Sequence, residues 1–251
     1  MRKLYWLLGL VGVASAEPTL VSIFGDSSVG GITAELWDKI YYIWLGISVL
    51  IYLVVAVPML YFMIKYRSSK NKEPSGHTEN LALEVTWTII PLIIVIYLAT
   101  QSFAFYKQQR TAPENSFEIK ITAFMWGWEV DYPNGKKVYA FFSPEYNIPE
   151  EQKIVLPAGK PIKVLLTSRD VLHAFYVQPA RVMEDAVPGR ITHLWFQINK
   201  PGEYWAFCRE YCGTQHARMV AVLKMVPQEE FDRWLNGGQQ VSQLESLNKT
   251  N

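Results

Sequence analysis

Two stretches of the chain carry no charge, Ile40 to Ile64 and Val85 to Tyr106. Each exceeds the roughly 20 apolar residues that a helix rising about 1.5 Å per residue needs to cross a hydrocarbon core of about 30 Å. Tyr41, Tyr42, Trp44, Trp87 and Tyr106 lie near the ends of these runs, where interfacial aromatic anchors belong. Beyond Lys107 the pattern changes to short alternating segments at 117–121, 137–141, 162–166, 193–198, 204–207 and 220–223. Turn formers punctuate them: Pro133-Asn134-Gly135, Pro157-Ala158-Gly159, Pro188-Gly189 and Pro201-Gly202. Short strands with regular turns predict an all-β sandwich or barrel. The architecture expected is therefore a membrane-anchored all-β protein, with a two-helix transmembrane hairpin followed by the β domain.

The N-terminus reads as a signal peptide over 1–16: Arg2 and Lys3, an apolar core from Leu4 to Val13, then Ala14-Ser15-Ala16 as a cleavage site. An uncleaved short anchor is the other reading. An external lead-in, 17–39, precedes the first span, 40–66, in which Pro58 removes one backbone hydrogen bond. The loop 67–83 follows, then the second span, 84–106, a linker, 107–116, the β domain, 117–235, which ends in a short amphipathic helix at 229–235, and a polar tail, 236–251. Lys65, Arg67, Lys70 and Lys72 lie at the loop, against Lys39 on the far side of the first span, so the loop is expected to be cytoplasmic. Both ends of the hairpin then emerge outside, and the β domain belongs on the outer, periplasmic side of a bacterial plasma membrane.

Both cysteines of the chain fall in Cys208-Arg209-Glu210-Tyr211-Cys212-Gly213-Thr214-Gln215-His216-Ala217-Arg218-Met219. Two thiols, an imidazole and a thioether, with His173 upstream, form a soft donor set that selects copper or zinc over magnesium or calcium. The set exceeds the three strong ligands of a mononuclear blue-copper centre, and two thiolates can each bridge a pair of metals, which favours a dinuclear copper site. A disulfide between Cys208 and Cys212 would leave His173, His216 and Met219 unexplained. His77 and His193 read as structural or solvated.

The spacing His173-x34-Cys208-x-Glu210-x-Cys212-x3-His216-x2-Met219 resembles the dinuclear copper A site of cytochrome c oxidase subunit II. The resemblance implies a cupredoxin-like domain holding two copper ions, with His173 just after a strand. Cys208 and Cys212 would bridge, His173 and His216 would terminate, and Met219 and the Glu210 carbonyl would be weak axial ligands. It further implies that the Glu210 side chain reaches a magnesium ion at the boundary with the catalytic subunit. Met183-Glu184-Asp185-Ala186-Val187-Pro188-Gly189-Arg190 is similar to the family's K-x-D-A-x-P-G-R segment, with Met183 where lysine is usual. Phe124-Met125-Trp126-Gly127-Trp128 resembles its aromatic segment, which makes Trp126 the point at which electrons enter from cytochrome c. Glu84, three residues before Trp87-Thr88 and followed by Pro91, matches a glutamate at the mouth of a proton channel. Arg209 replaces a small residue and puts a cation beside the metal.

The function implied is that of an electron-transfer subunit. Cytochrome c reduces the dinuclear copper, and the electron passes to a haem in subunit I, where O2 is reduced to water and protons are pumped. The partners implied are cytochrome c, the haem-bearing subunit I, other oxidase subunits and membrane lipid. Two competing readings are the copper subunit of a nitric oxide reductase and a membrane-anchored copper chaperone, the latter disfavoured by the lack of helical period between Phe117 and Val226. From Lys107 onward 17 Lys and Arg face 16 Asp and Glu, so no strong global field steers a basic partner. Glu129, Asp131 and Glu184 are candidates for a local acidic patch. No basic stripe points to nucleic acid.

Overall fold

The computed structural model describes residues 26–73, 76, 79–141 and 148–237. The segments expected to be a signal peptide (1–16) and most of the polar tail lie outside them, as does His77. The chain divides into two compact units, one holding Asp38–Phe105 and the other Tyr106 onward together with the described residues 26–37.

The first unit is helical. Helix α1, Gly31–Lys65, has 35 residues and α2, Leu81–Arg110, has 30, so each is longer than the spans expected at 40–66 and 84–106. Leucine, isoleucine and valine side chains cover both and are exposed, as a lipid-facing helix requires. Pro58 lies within α1 and Pro91 within α2 without ending either helix. Asn80 caps α2: its Oδ1 accepts from Leu83 N–H at 3.0 Å, satisfying one of the free amides of the first turn. Glu84 lies in that turn, where the helix dipole favours a carboxylate.

In the second unit the end of α2 continues to Arg110, so the irregular part of the expected linker shrinks to 111–116. Its terminal carbonyls find partners that the sequence does not advertise. His193 Nε2–H donates to Arg110 O at 3.1 Å, and Trp195 Nε1–H to Gln108 O at 3.3 Å. His193 is thus structural. The start of α1 is held by the same unit, with Asn199 N–H donating to Val29 O at 2.9 Å and Arg181 Nη1–H to Ala34 O at 3.3 Å.

Among the described residues, ten strands form two five-stranded sheets. They are β1 (Phe117–Phe124), β2 (Gly127–Asp131), β3 (Lys137–Phe141), β4 (Ile154–Pro157), β5 (Ile162–Ser168), β6 (His173–Val177), β7 (Val182–Ala186), β8 (Thr192–Phe196), β9 (Gly202–Cys208) and β10 (Val220–Val226). One sheet runs β3-β2-β1-β5-β8, the other β4-β10-β9-β6-β7. The pairs β1–β5 and β4–β10 are parallel and the rest antiparallel. Ile119, Ile121, Val164, Leu166, Phe196 and Leu223 interleave between the sheets, with Trp128 against Phe175 edge-on at 4.9 Å. Each such fully buried side chain contributes about 1.5–3 kcal/mol relative to exposure. A last helix, α3, over 228–237, covers one end of this core with Phe231. This is the cupredoxin-like sandwich. Its pairing sets Phe175 opposite Cys208 and Phe207 opposite Val220, so β6, β9 and β10 end side by side.

Candidate metal centre

The donors converge where those three strands end. His173 is the first residue of β6, not a residue after a strand as its flanking sequence suggests; it pairs with Ala186 of β7 and is fully buried. Cys208 closes β9, and the loop from Arg209 to Met219 leads into β10. That loop is pinned at its mouth, where Cys208 N–H donates to Met219 O at 3.0 Å and Arg209 N–H to Ala174 O at 3.0 Å. A single 3-10 turn, His216–Arg218, brings His216 and Met219 back over the cysteines. Gly213 makes the reversal at φ +116°, and a Cβ there would lie 3.2 Å from the Trp126 ring.

The two sulfurs are 3.8 Å apart. His173 Nδ1 lies 3.8 Å from Cys208 Sγ, and His216 Nδ1 lies 3.6 Å from Cys212 Sγ. Met219 Sδ is 3.7 Å from Cys212 Sγ, and Glu210 O is 3.3 Å from Cys208 Sγ. All six residues singled out from the spacing are therefore brought together, with one imidazole beside each thiol. The ligand atoms of His173, Cys208 and Cys212 fall within 4.8 Å of one another. Both thiols are free and buried, so the close sulfurs are not a disulfide. The side chain of Glu210 is exposed, and only its carbonyl joins the cluster.

Burial would raise both thiols, but they separate. For Cys208 the contacts with His173, the Ala174 and Glu210 backbone and Cys212 outweigh burial and hold the thiol below its ordinary value. For Cys212 burial and the neighbouring Cys208 charge push it up to about 12. Two buried thiols this close resist losing both protons unless a cation joins them, and soft thiolate, imidazole and thioether donors suit copper.

Asp170 is the residue that sequence reasoning missed. Its Oδ1 accepts from His173 Nε2–H at 2.9 Å and from Val171 N–H at 2.7 Å, while Oδ2 accepts from Met125 N–H at 2.7 Å. A carboxylate three residues before a candidate histidine is the available signal. Its contact fixes the tautomer that leaves Nδ1 facing Cys208. Trp126 Nε1–H donates to Cys212 O at 3.0 Å, so the aromatic segment is bonded to the cluster at Cys212 and, through Met125, to Asp170. Trp128 is wholly buried, with its ring 6.1 Å from that of His173. Arg209 lies with its guanidinium 5.2 Å above the Tyr176 ring. Glu84 belongs to the helical unit, with its backbone N–H bonded to Asn80 O at 3.0 Å.

The three acids expected to form a docking patch are engaged elsewhere. Glu129 is ion-paired with Lys137 and Arg169, Asp131 with Lys137, and Glu184 with Arg110.

Long apolar helices, a β-sandwich and this thiol, imidazole and thioether cluster define a membrane-anchored, copper-binding protein of cupredoxin-like fold. Residues 117–226 match the family described as cytochrome c oxidase subunit II, periplasmic domain, and residues 25–105 match its transmembrane domain. The chain belongs to the cytochrome c oxidase subunit II family. It is 30% identical over 249 residues to the probable cytochrome c oxidase subunit 2 of Rickettsia bellii (strain RML369-C), covering 94% of this chain and 92% of that one. It is 29% identical over 208 residues to cytochrome c oxidase subunit 2 of Cereibacter sphaeroides, covering 72% and 69%. Among solved structures, the periplasmic domain of subunit II of cytochrome oxidase from Bradyrhizobium japonicum is 31% identical, covering 52% of this chain and 98% of that one, with a TM-score of 0.48.

Proposed function

We propose that this chain accepts electrons from a cytochrome c at a dinuclear copper centre and passes them to the haem of a separate catalytic subunit, which reduces O2 to water and pumps protons. The observation that carries the proposal is the pair of free thiols 3.8 Å apart with one imidazole beside each. His173, Cys208, Cys212, His216 and Met219, with the Glu210 carbonyl, would hold the copper pair. A thiolate-bridged copper pair shares one unpaired electron, so bond lengths change little on reduction.

The protein residues have distinct tasks in this reading. Asp170 holds the His173 ring, the strand ends hold the sulfurs, and Trp126 offers a hydrogen-bonded route to Cys212. The exposed Glu210 carboxylate is assigned to a magnesium ion at the boundary with subunit I, as a hard ligand suits a hard cation. Glu84 is assigned to the mouth of a proton channel. The β domain lies on the outer side of a plasma membrane, with signal peptide 1–16 directing its export.

The test is to load the full chain with copper in detergent and record a metal count with visible and electron spin resonance spectra. Two coppers per chain, with hyperfine splitting shared over both nuclei, are expected. One copper, or a cuprous protein that surrenders its metal to an apoprotein, would favour a membrane-anchored chaperone. Assembly with a catalytic subunit that reduces nitric oxide rather than O2 would favour the nitric oxide reductase reading.

A further inference from the structure

The turn that follows the first apolar helix gathers cations that no other described residue neutralises. Lys65 closes α1, and Arg67, Lys70 and Lys72 come within the next seven residues. All four are exposed, and none forms an ion pair among the described residues; the acids that follow in the loop, Glu73 and Glu79, are exposed as well. The turn is folded onto the helix end. Lys70 N–H and Asn71 N–H both donate to Arg67 O, at 2.9 and 3.1 Å, and Asn71 Nδ2–H donates to Lys65 O at 2.8 Å. These bonds bring the segment 70–72 back to Lys65, so the cations form one cluster instead of being strung along a loop.

An aromatic band precedes that cluster on the helix. Tyr61, Phe62 and Tyr66 are exposed, with the Tyr61 and Phe62 rings 5.5 Å apart and those of Phe62 and Tyr66 5.7 Å apart. Lys65 Nζ lies 5.1 Å from the Tyr61 ring and 5.2 Å from that of Tyr66. Behind the band α1 carries no charge back to Ile40, and its leucine, isoleucine and valine side chains are exposed. Apolar surface, aromatic band and cations follow one another in the order of depth of a phospholipid, from acyl chain through glycerol to phosphodiester. A helix C-terminus disfavours an anion through its dipole. Here Asn71 covers the Lys65 carbonyl and Tyr66 N–H the Phe62 carbonyl, at 2.8 Å, so the side-chain cations set the local sign.

We infer that this turn binds the headgroup of an anionic phospholipid, with Arg67, Lys70 and Lys72 at the phosphodiester and Lys65 at the aromatic band. The inference needs only the membrane anchor and is independent of the copper chemistry. A preference for cations on one side of a membrane accounts for the sign of the loop but not for its folding onto the helix end. The Arg67 guanidinium offers a forked donor for two phosphate oxygens, and the lysines add point charges. Charge complementarity and continuity with the lipid-facing surface of α1 select a lipid over a soluble anion: the acyl chains of the same molecule lie along side chains that must be covered by hydrocarbon.

The experiment is native mass spectrometry of the full chain in neutral detergent, mixed with equal amounts of phosphatidylglycerol and phosphatidylcholine of the same acyl chains, counting each lipid carried per chain. Phosphatidylglycerol should be carried in preference by about tenfold or more, and the preference should shrink as salt screens the charges. The triple variant Arg67→Gln, Lys70→Gln, Lys72→Gln should abolish the preference, and Lys70→Gln alone should reduce it by about fivefold. Arg67→Lys should keep most of it, and Lys39→Gln, near the other end of α1, should leave it unchanged. Lipid is added to chain already in detergent, so the direction of membrane insertion does not enter, and circular dichroism checks that each variant keeps its helices. If the triple variant loses helix, Lys70→Gln alone decides. Equal carriage of the two lipids overturns the inference, as does a Lys39→Gln variant that loses as much preference as Lys70→Gln. Millimolar inorganic phosphate that strips phosphatidylglycerol from the chain at constant ionic strength would make free phosphate the ligand and overturn the lipid assignment.

Discussion

Replacing Asp170 with alanine tests whether the carboxylate holds the metal ligand. The carboxylate accepts three hydrogen bonds, from His173 Nε2, Met125 N and Val171 N. Met125 is exposed, so its amide can turn to water, but His173 is wholly buried and its Nε2–H would be stranded. A stranded buried donor costs about 1–3 kcal/mol, and losing the partner of a metal-bound histidine costs about 10–100-fold in metal affinity. Asp170→Ala should thus lower the melting temperature of the metal-free protein by about 5–10 °C and weaken copper binding by about tenfold or more. Asp170→Asn keeps an acceptor for Nε2–H and should lose less of both. The pH dependence has a definite sign. Burial works against the Asp170 carboxylate, but His173 and the Met125 and Val171 amides hold it below the usual value. A depressed folded pKa stabilises the protein above the unfolded value of about 4 and is lost as pH falls below it, so that part of the acid limb should vanish in the alanine variant. Thermal melts with and without copper, with a competitive copper titration, measure all of this. A variant that melts within about 1 °C of the parent and binds copper equally well would show that the hydrogen bond does not orient the ring.

Trp126→Phe removes the Nε1–H bond to Cys212 O, and rapid mixing should find slower reduction by cytochrome c with an unchanged copper spectrum. Gly213→Ala forces a Cβ to a positive φ and to 3.2 Å from the Trp126 ring; a loss of about 1–3 kcal/mol in denaturant melts is expected, with altered tryptophan fluorescence. Because the Cys212 thiol is pushed up to about 12, it still holds its proton at neutral pH, and copper must displace it. Apparent copper affinity should therefore rise by at least about tenfold per pH unit between about pH 7 and pH 9, and a flat profile would contradict the protonation assigned to Cys212.

The parts of the fold readable in the sequence are those with one dominant physical signal. The two helices show as uncharged runs, and strands such as β3 and β5 alternate, with burial following every second residue. Four strands were not read from the sequence. All of β4 is buried, so it reads as an apolar run, while β2 is buried at four of its five positions and β6 likewise. The middle of β7 is Met183-Glu184-Asp185, with Glu184 paired to Arg110, and it shows no apolar face. Helix ends also shift: α2 runs on to Arg110 because His193 and Trp195 supply partners for its last carbonyls, a long-range contact invisible in a local window.

The clustering of the six residues was legible because soft side chains at fixed spacing are rare together and four of the six share one short loop. The charges were not, and the reason is general. A sequence counts carboxylates and cations but says nothing of which member of a pair is recessed. Glu129 and Asp131 look like an acidic patch beside Trp126 until Lys137 and Arg169 are seen lying outside them. The same near-zero balance can present either sign to a partner, depending on which side chain is longer and more exposed at each pair. At these pairs the long cationic side chains of Lys137 and Arg169 are the more exposed members, so the acidic patch read from the sequence is covered by its own counter-ions.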